Sequence, residues 1–166
     1  MGLLRVMTKI DEFGSRLLAA GYSVTCDVPC GCEESIALAA AKMSFSWKGL
    51  VVLSHHVVIR ELAQPTVQDF YDLFEVGFKL GKSSRRIPWL RGMQFGYVII
   101  PVVVAEVVSD EVREYVCKAP VNRWCLFEFP VIYDLRTADA CCFQDTNLWG
   151  AFFFPELRGV VRHCIK

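Results

Sequence analysis

Over the first 20 residues apolar side chains recur at Leu3, Leu4, Met7, Ile10, Phe13, Leu17 and Leu18. That i, i+3, i+4, i+7 spacing lays one stripe along a helix, and Gly21 supplies its stop. YSVTCDVP (22–29) then alternates apolar and polar positions and predicts a strand. Residues 33–47 carry two signals. EESIALAAAKM has helix-forming composition, whereas MSFSW alternates, with Met43, Phe45 and Trp47 on one face. A long strand is favoured, because Trp47-Lys48-Gly49 offers a turn into the β-rich LVVLSHHVVI (50–59) and so completes a hairpin.

Pro65 and Thr66 open a second helix, whose Phe70, Leu73, Phe74, Gly77 and Phe78 share a face and which ends near Gly81 as a C-cap. FGYVIIPVVVAEVV (95–108) predicts a buried strand, and Ser109 caps a short helix running to Cys117. RWCLFEFPVIYDL (123–135) predicts a further strand, TADA turns into CCFQD (141–145), and a last helix begins near Pro155. No repeat or linker interrupts the chain. The expectation is one α/β (α+β) domain over 1–166, a mixed sheet with a long central hairpin flanked by helices.

Composition sharpens this picture. With 54% hydrophobic and 13% aromatic residues, a well-filled core is expected. The longest uncharged apolar run, YVIIPVVVA (97–105), is far short of the ~20 residues that span a bilayer, and the charged N-terminus has no secretory h-region. Both predict a cytoplasmic protein without a membrane partner. The 18 cations and 18 anions cancel, which argues against nucleic-acid gripping as the main task. It also gives little colloidal protection and favours a homo-oligomer that hides apolar surface. The eight cysteines are expected to stay reduced in such a compartment. CDVPCGC (26–32) lacks the second knuckle of a zinc site, so neither metal nor cofactor is expected, and Cys125 and Cys141 are read as buried hydrophobes.

Four features invite chemistry. His55 and His56 are adjacent, and in a strand neighbours point to opposite faces, so they cannot share a metal. The expectation is one buried neutral imidazole with a backbone partner beside an exposed one. GFKLGKSS (77–84) is a residue short of a phosphate-binding loop and ends a helix instead of following a strand. Lys79, Lys82, Arg85, Arg86 and Arg91, with Trp89 among them, form a basic loop with no acid between Glu75 and Glu106. They are candidate ligands for a phosphate or an acidic partner. In the tail, Leu148, Trp149, Phe152, Phe153 and Phe154 are too many large apolar residues for one face, which predicts that Trp149, Phe152 and Phe153 meet a subunit or partner.

The order helix, strand, hairpin, helix, strand, helix, strand over residues 3–135, with VVVAEVVSDEVREYV leading into RWCLFEFPVIYDL, resembles the core of restriction-endonuclease-like proteins. That resemblance implies a magnesium site built from an Asp and an E-x-K on adjacent strands. No Glu, Asp or Gln of this chain is followed two residues on by Lys, and LVVLSHHVVI has no acid, so no catalytic residue carries over. Nor is there a G-x-S-x-G, G-x-G-x-x-G or H-E-x-x-H. The sequence therefore favours a non-catalytic interaction or assembly protein, binding itself or another protein. The alternative is a nucleic-acid- or phosphate-handling domain, a degenerate nuclease, using loop 79–91.

Overall fold

A computed structural model describes residues 2–28, 36–47, 50–83, 95–118, 126–146 and 153–166, with backbone only for 2–6, 27 and 28. The elements in chain order are α1 (Gly2–Ala19), β1 (Ser23–Val28), β2 (Ile36–Ser46), β3 (Val51–Leu62), α2 (Val67–Ser83), β4 (Phe95–Ala105) and α3 (Asp110–Cys117). They continue with β5 (Leu126–Glu128), β6 (Val131–Asp134), β7 (Asp139–Cys142) and α4 (Phe154–Val160), followed by a π-helical turn (Val161–Ile165). The fold is mixed α+β on a single seven-stranded sheet. Residues 36–46 form the strand that alternation favoured over helical composition.

The sheet joins two antiparallel parts through a parallel centre. β1, β2 and β3 run as an antiparallel meander, β3 and β4 are parallel, β4 pairs in parallel with both β5 and β6, and β7 returns antiparallel to β6. Every residue of β4 is buried, as its unbroken apolar run requires of a strand covered on both faces.

The strand expected over 123–135 is divided at Phe129-Pro130, its first residues lying outside the described part. Register explains the break. Ile99 pairs with Glu128 and Val102 with Val131, so Pro101 falls opposite Pro130, and neither can donate to the ladder. The Phe129 amide still donates to the Ile99 carbonyl at 2.9 Å, which keeps β5 and β6 on one line.

Helices cover both faces of the sheet. On one face Ile10, Phe13 and Leu17 of α1, with Leu157, Val161 and Ile165 of the C-terminal helix, pack on Leu53, Val57, Val98, Ile100 and Val102. On the other, Phe70 and Leu73 of α2 and Val112 and Val116 of α3 pack on Val58, Val103 and Ile132. Phe74 joins Tyr97 and Ile99 beside them.

Three sequence-based boundaries need correction. β3 runs past residue 59 to Leu62, β4 stops at Ala105, and α2 continues to Ser83. Gly81 is thus no C-cap. A Cβ built there would lie 3.0 Å from His56 Nε2 and 3.2 Å from Tyr97 Cδ1. At Gly77 it would lie 2.7 Å from Ile99 Cγ2. Both glycines let the helix backbone close on the sheet. Ser109 caps α3 as expected, accepting from the Val112 amide at 3.3 Å.

Candidate functional site

The histidine doublet is the natural starting point, because β3 carries it across the middle of the domain. Alternation sends the two rings to opposite faces. His56 lies under α2, near Gly81 and 6.2 Å from the Tyr97 ring centroid. His55 faces the α1 and C-terminal helix side. The expectation of one exposed ring is overturned: His55 is 2% and His56 4% exposed. The cause is that helices cover both faces of β3. Their partners are also side chains and not backbone, with Ser44 Oγ 3.0 Å from His55 Nε2 and Ser54 Oγ 2.8 Å from His56 Nε2. Burial drives both imidazoles down to about 4, and for His55 the Lys42 ammonium and then His56 add to it. Both rings are neutral at pH 7.

Around His55 the structure leaves a pocket of about 190 Å³, partly open to solvent, between β2, β3 and the C-terminal helix, lined by Tyr22, Lys42, Ser44, His55, Glu156, Gly159, Val160, His163 and Cys164 together with Ala20. Lys42 and Ser44 reach it because they are alternate residues of β2, and His55 pairs directly with Lys42 across the hairpin. The Lys42 ammonium donates to the Ala20 carbonyl at 2.7 Å and lies 5.4 Å from the Tyr22 ring centroid. The π-helical turn brings His163 and Cys164 to the cavity. Such turns are rare and recur at functional sites. Burial pushes the Cys164 thiol up, so it is not a ready thiolate.

Ser44, His55 and Glu156 carry the residue types of a hydrolytic triad, and their geometry excludes one. Glu156 Oε1 lies 3.8 Å from His55 Nε2, the same nitrogen that meets Ser44. A triad needs the carboxylate on the opposite nitrogen, where it fixes the tautomer. Here Nδ1 is sealed off with no hydrogen-bond partner among the described residues. Leaving it so costs about 1–3 kcal/mol. Valine occupies the same face two residues on and carries no such penalty. The carboxylate near Nε2 favours the proton there, donated toward Ser44 Oγ. That leaves the Ser44 hydroxyl proton for another acceptor.

A second feature occupies the other side of the same strand. Met43, Phe45 and Trp47 alternate with Lys42 and Ser44, and they are exposed by 66%, 47% and 80%, with Leu50 in the turn at 62%. Phe45 and Trp47 meet edge to face at 4.8 Å. β1 pairs with β2 only as far as Ala41, so the hairpin projects beyond its neighbour. Leu50 has φ 48°, in the left-handed region that a leucine rarely adopts. The alternation of these residues was legible in the sequence. Their exposure was not, because it depends on where α2 and β1 end.

Of the basic-loop candidates, Lys79 and Lys82 are exposed near the end of α2, with the Lys82 ammonium 4.6 Å from the Phe78 ring centroid. Arg85, Arg86, Trp89 and Arg91 lie outside the described residues, as do Trp149, Phe152, Cys30, Cys32 and Cys125. Phe153 is half-buried against Phe127 at 4.9 Å, and Phe154 is buried against Phe129 and Phe143. Cys141 is half-buried in β7, and Arg113 Nη1 lies 3.2 Å from its sulfur. Among the described residues no group of three or more His, Cys, Asp or Glu is placed to hold a metal, and no helix is long and apolar enough to cross a membrane. No family model, curated protein or solved structure matches the chain.

Proposed function

We propose that this domain is an assembly protein whose contact surface is the projecting tip of the β2–β3 hairpin, and that its occupant is a second copy of the same chain. The observation that carries this reading is the exposure of Met43, Phe45 and Trp47 at alternate positions, with Phe45 and Trp47 in ring contact and Leu50 exposed in the turn. They offer on the order of 500 Å² of apolar surface, the size of the largest patch on an ordinary monomer and often a functional one. Residues 43–47 and 50–54 carry no charge, and Lys48 is the one charged residue in the sequence between them, so the surface is dominated by apolar side chains. A two-fold contact sets the same patch against itself and needs no further complementarity. Two copies would bury roughly 1,000 Å², the lower end of specific interfaces, so the dimer is reversible.

The order α1-β1-β2-β3-α2-β4-α3-β5 supports a restriction-endonuclease-like scaffold. β3 carries one carboxylate, Glu61, and no Glu, Asp or Gln of the chain is followed two residues on by Lys, so the scaffold is read without the nuclease chemistry. Sedimentation velocity from about 1 to 100 µM tests the assembly reading. The parent should shift from monomer to dimer across that range. Trp47→Ser should stay monomeric with an unchanged melting temperature, since Trp47 is 80% exposed. A parent that remains monomeric throughout, or a Trp47→Ser variant that dimerises equally well, would overturn it.

A further inference from the structure

We infer that the His55 cavity is a binding site for a small zwitterion, a molecule of amino-acid size carrying one carboxylate and one ammonium. Size sets the first limit, since about 190 Å³ has room for about six waters. Charge sets the second. Among the lining residues Lys42 is the cation and Glu156 the anion, His55 is neutral, and His163 adds a second imidazole, so a multiply charged anion such as phosphate meets a carboxylate beside the single ammonium. A zwitterion matches both ends. The Lys42 ammonium donates one of its three N–H bonds to the Ala20 carbonyl, which leaves two for a carboxylate. The Ser44 hydroxyl, 3.0 Å from His55 Nε2, can donate its own hydrogen when it accepts from the ring. Glu156, 48% exposed, can accept from an ammonium.

The wall also carries a buried polar ring. His55 is a polar ring, 2% exposed, held only through Nε2 while Nδ1 lacks a partner among the described residues. Burial of this kind is kept against stability. Gly159 also lines the pocket, and an added Cβ there would have nothing within 4 Å. That open space supplies the test, because a side chain grown at a lining residue should take up pocket room with no packing clash at its Cβ.

The experiment is NMR titration of the full chain, following the His55 ring nitrogens, with L-serine, inorganic phosphate, acetate and ethylamine as separate probes. L-serine should shift the His55 signals saturably at millimolar concentration, and each half-ligand, acetate or ethylamine, should bind at least about tenfold more weakly. Gly159→Leu should weaken L-serine binding by about tenfold or more while melting like the parent, and Gly159→Ala should weaken it less. Should Gly159→Leu fail to fold, Lys42→Gln takes its place with the same expected loss. No response to L-serine, a tighter response to phosphate, or L-serine binding unaffected by the variants would each overturn the assignment.

Discussion

At the scale of single residues, the two buried histidines set the protein's response to acid. Unfolded, each imidazole titrates near 6.5; folded, each is held down to about 4. The folded state therefore binds fewer protons than the unfolded chain between those values. Stability is full above about pH 6.5, is lost as pH falls toward 4, and changes no further from this source below it. Each ring accounts for about 3 kcal/mol at the end of that window. Urea midpoints at pH 7.5 and pH 5 should differ clearly in the parent, and the His55→Gln, His56→Gln double variant should remove most of that difference. A parent with equal midpoints would mean the rings are not buried as described. The sequence showed that the two rings oppose each other, because alternation along a strand is local. It could not show that both are covered, since α2 lies on one of them and the C-terminal helix beside the other, from 20 or more residues away in the chain. For the same reason Glu156 was invisible as a neighbour of His55, whereas Lys42 and Ser44 lie across the predicted hairpin and needed only its register.

Elements were more legible than sites where their periodicity is strong. α1, α3 with its Ser109 cap, and the β2–β3 hairpin follow from spacing and turn residues alone. α2 shows where such rules stop. Its Phe stripe predicts a buried face, and Phe74 is 1% exposed, so Phe74→Ala should cost about 3–5 kcal/mol in urea unfolding. Its glycines look like punctuation, yet they are contact points. By helix propensity alone Gly77→Ala should stabilise by about 1 kcal/mol. In place, the new methyl would lie 2.7 Å from Ile99 Cγ2 and 3.0 Å from Val58 Cγ2, an overpacking worth about 1–3 kcal/mol in the opposite direction. Gly77→Ala should therefore lower the urea midpoint. A raised midpoint would show that α2 does not approach the sheet at Gly77. The broken strand at Phe129-Pro130 teaches the same point, since Pro130 was visible in the sequence but its position opposite Pro101 was a matter of register.

For the whole molecule, the question is which surface can join two copies. Among the described strands the sheet ends in β1 on one side and in β7 and the three-residue β5 on the other, and each side is a potential site for strand pairing. Both are poor templates. β7 has only four residues, and β1 spans six with Asp27 in its sequence, a charge that opposes edge-to-edge addition. The hairpin tip has a single charge in its sequence, Lys48, beside four exposed apolar residues. Its exposed apolar side chains are long, adjacent and uncharged, and the overall balance of 18 cations and 18 anions adds no repulsion between copies. Assembly through this tip should then follow apolar burial and not charge. The dimer dissociation constant should change less than about threefold between roughly 50 and 500 mM sodium chloride, because the contact is mainly apolar and has one charged residue, Lys48, in its sequence for salt to screen. Titration calorimetry by dilution should give a negative heat-capacity change on association, the mark of apolar surface leaving water. A contact made instead through Lys79, Lys82 and an acidic surface would weaken steeply over the same salt range, and that outcome would move the interface from the hairpin to the end of α2.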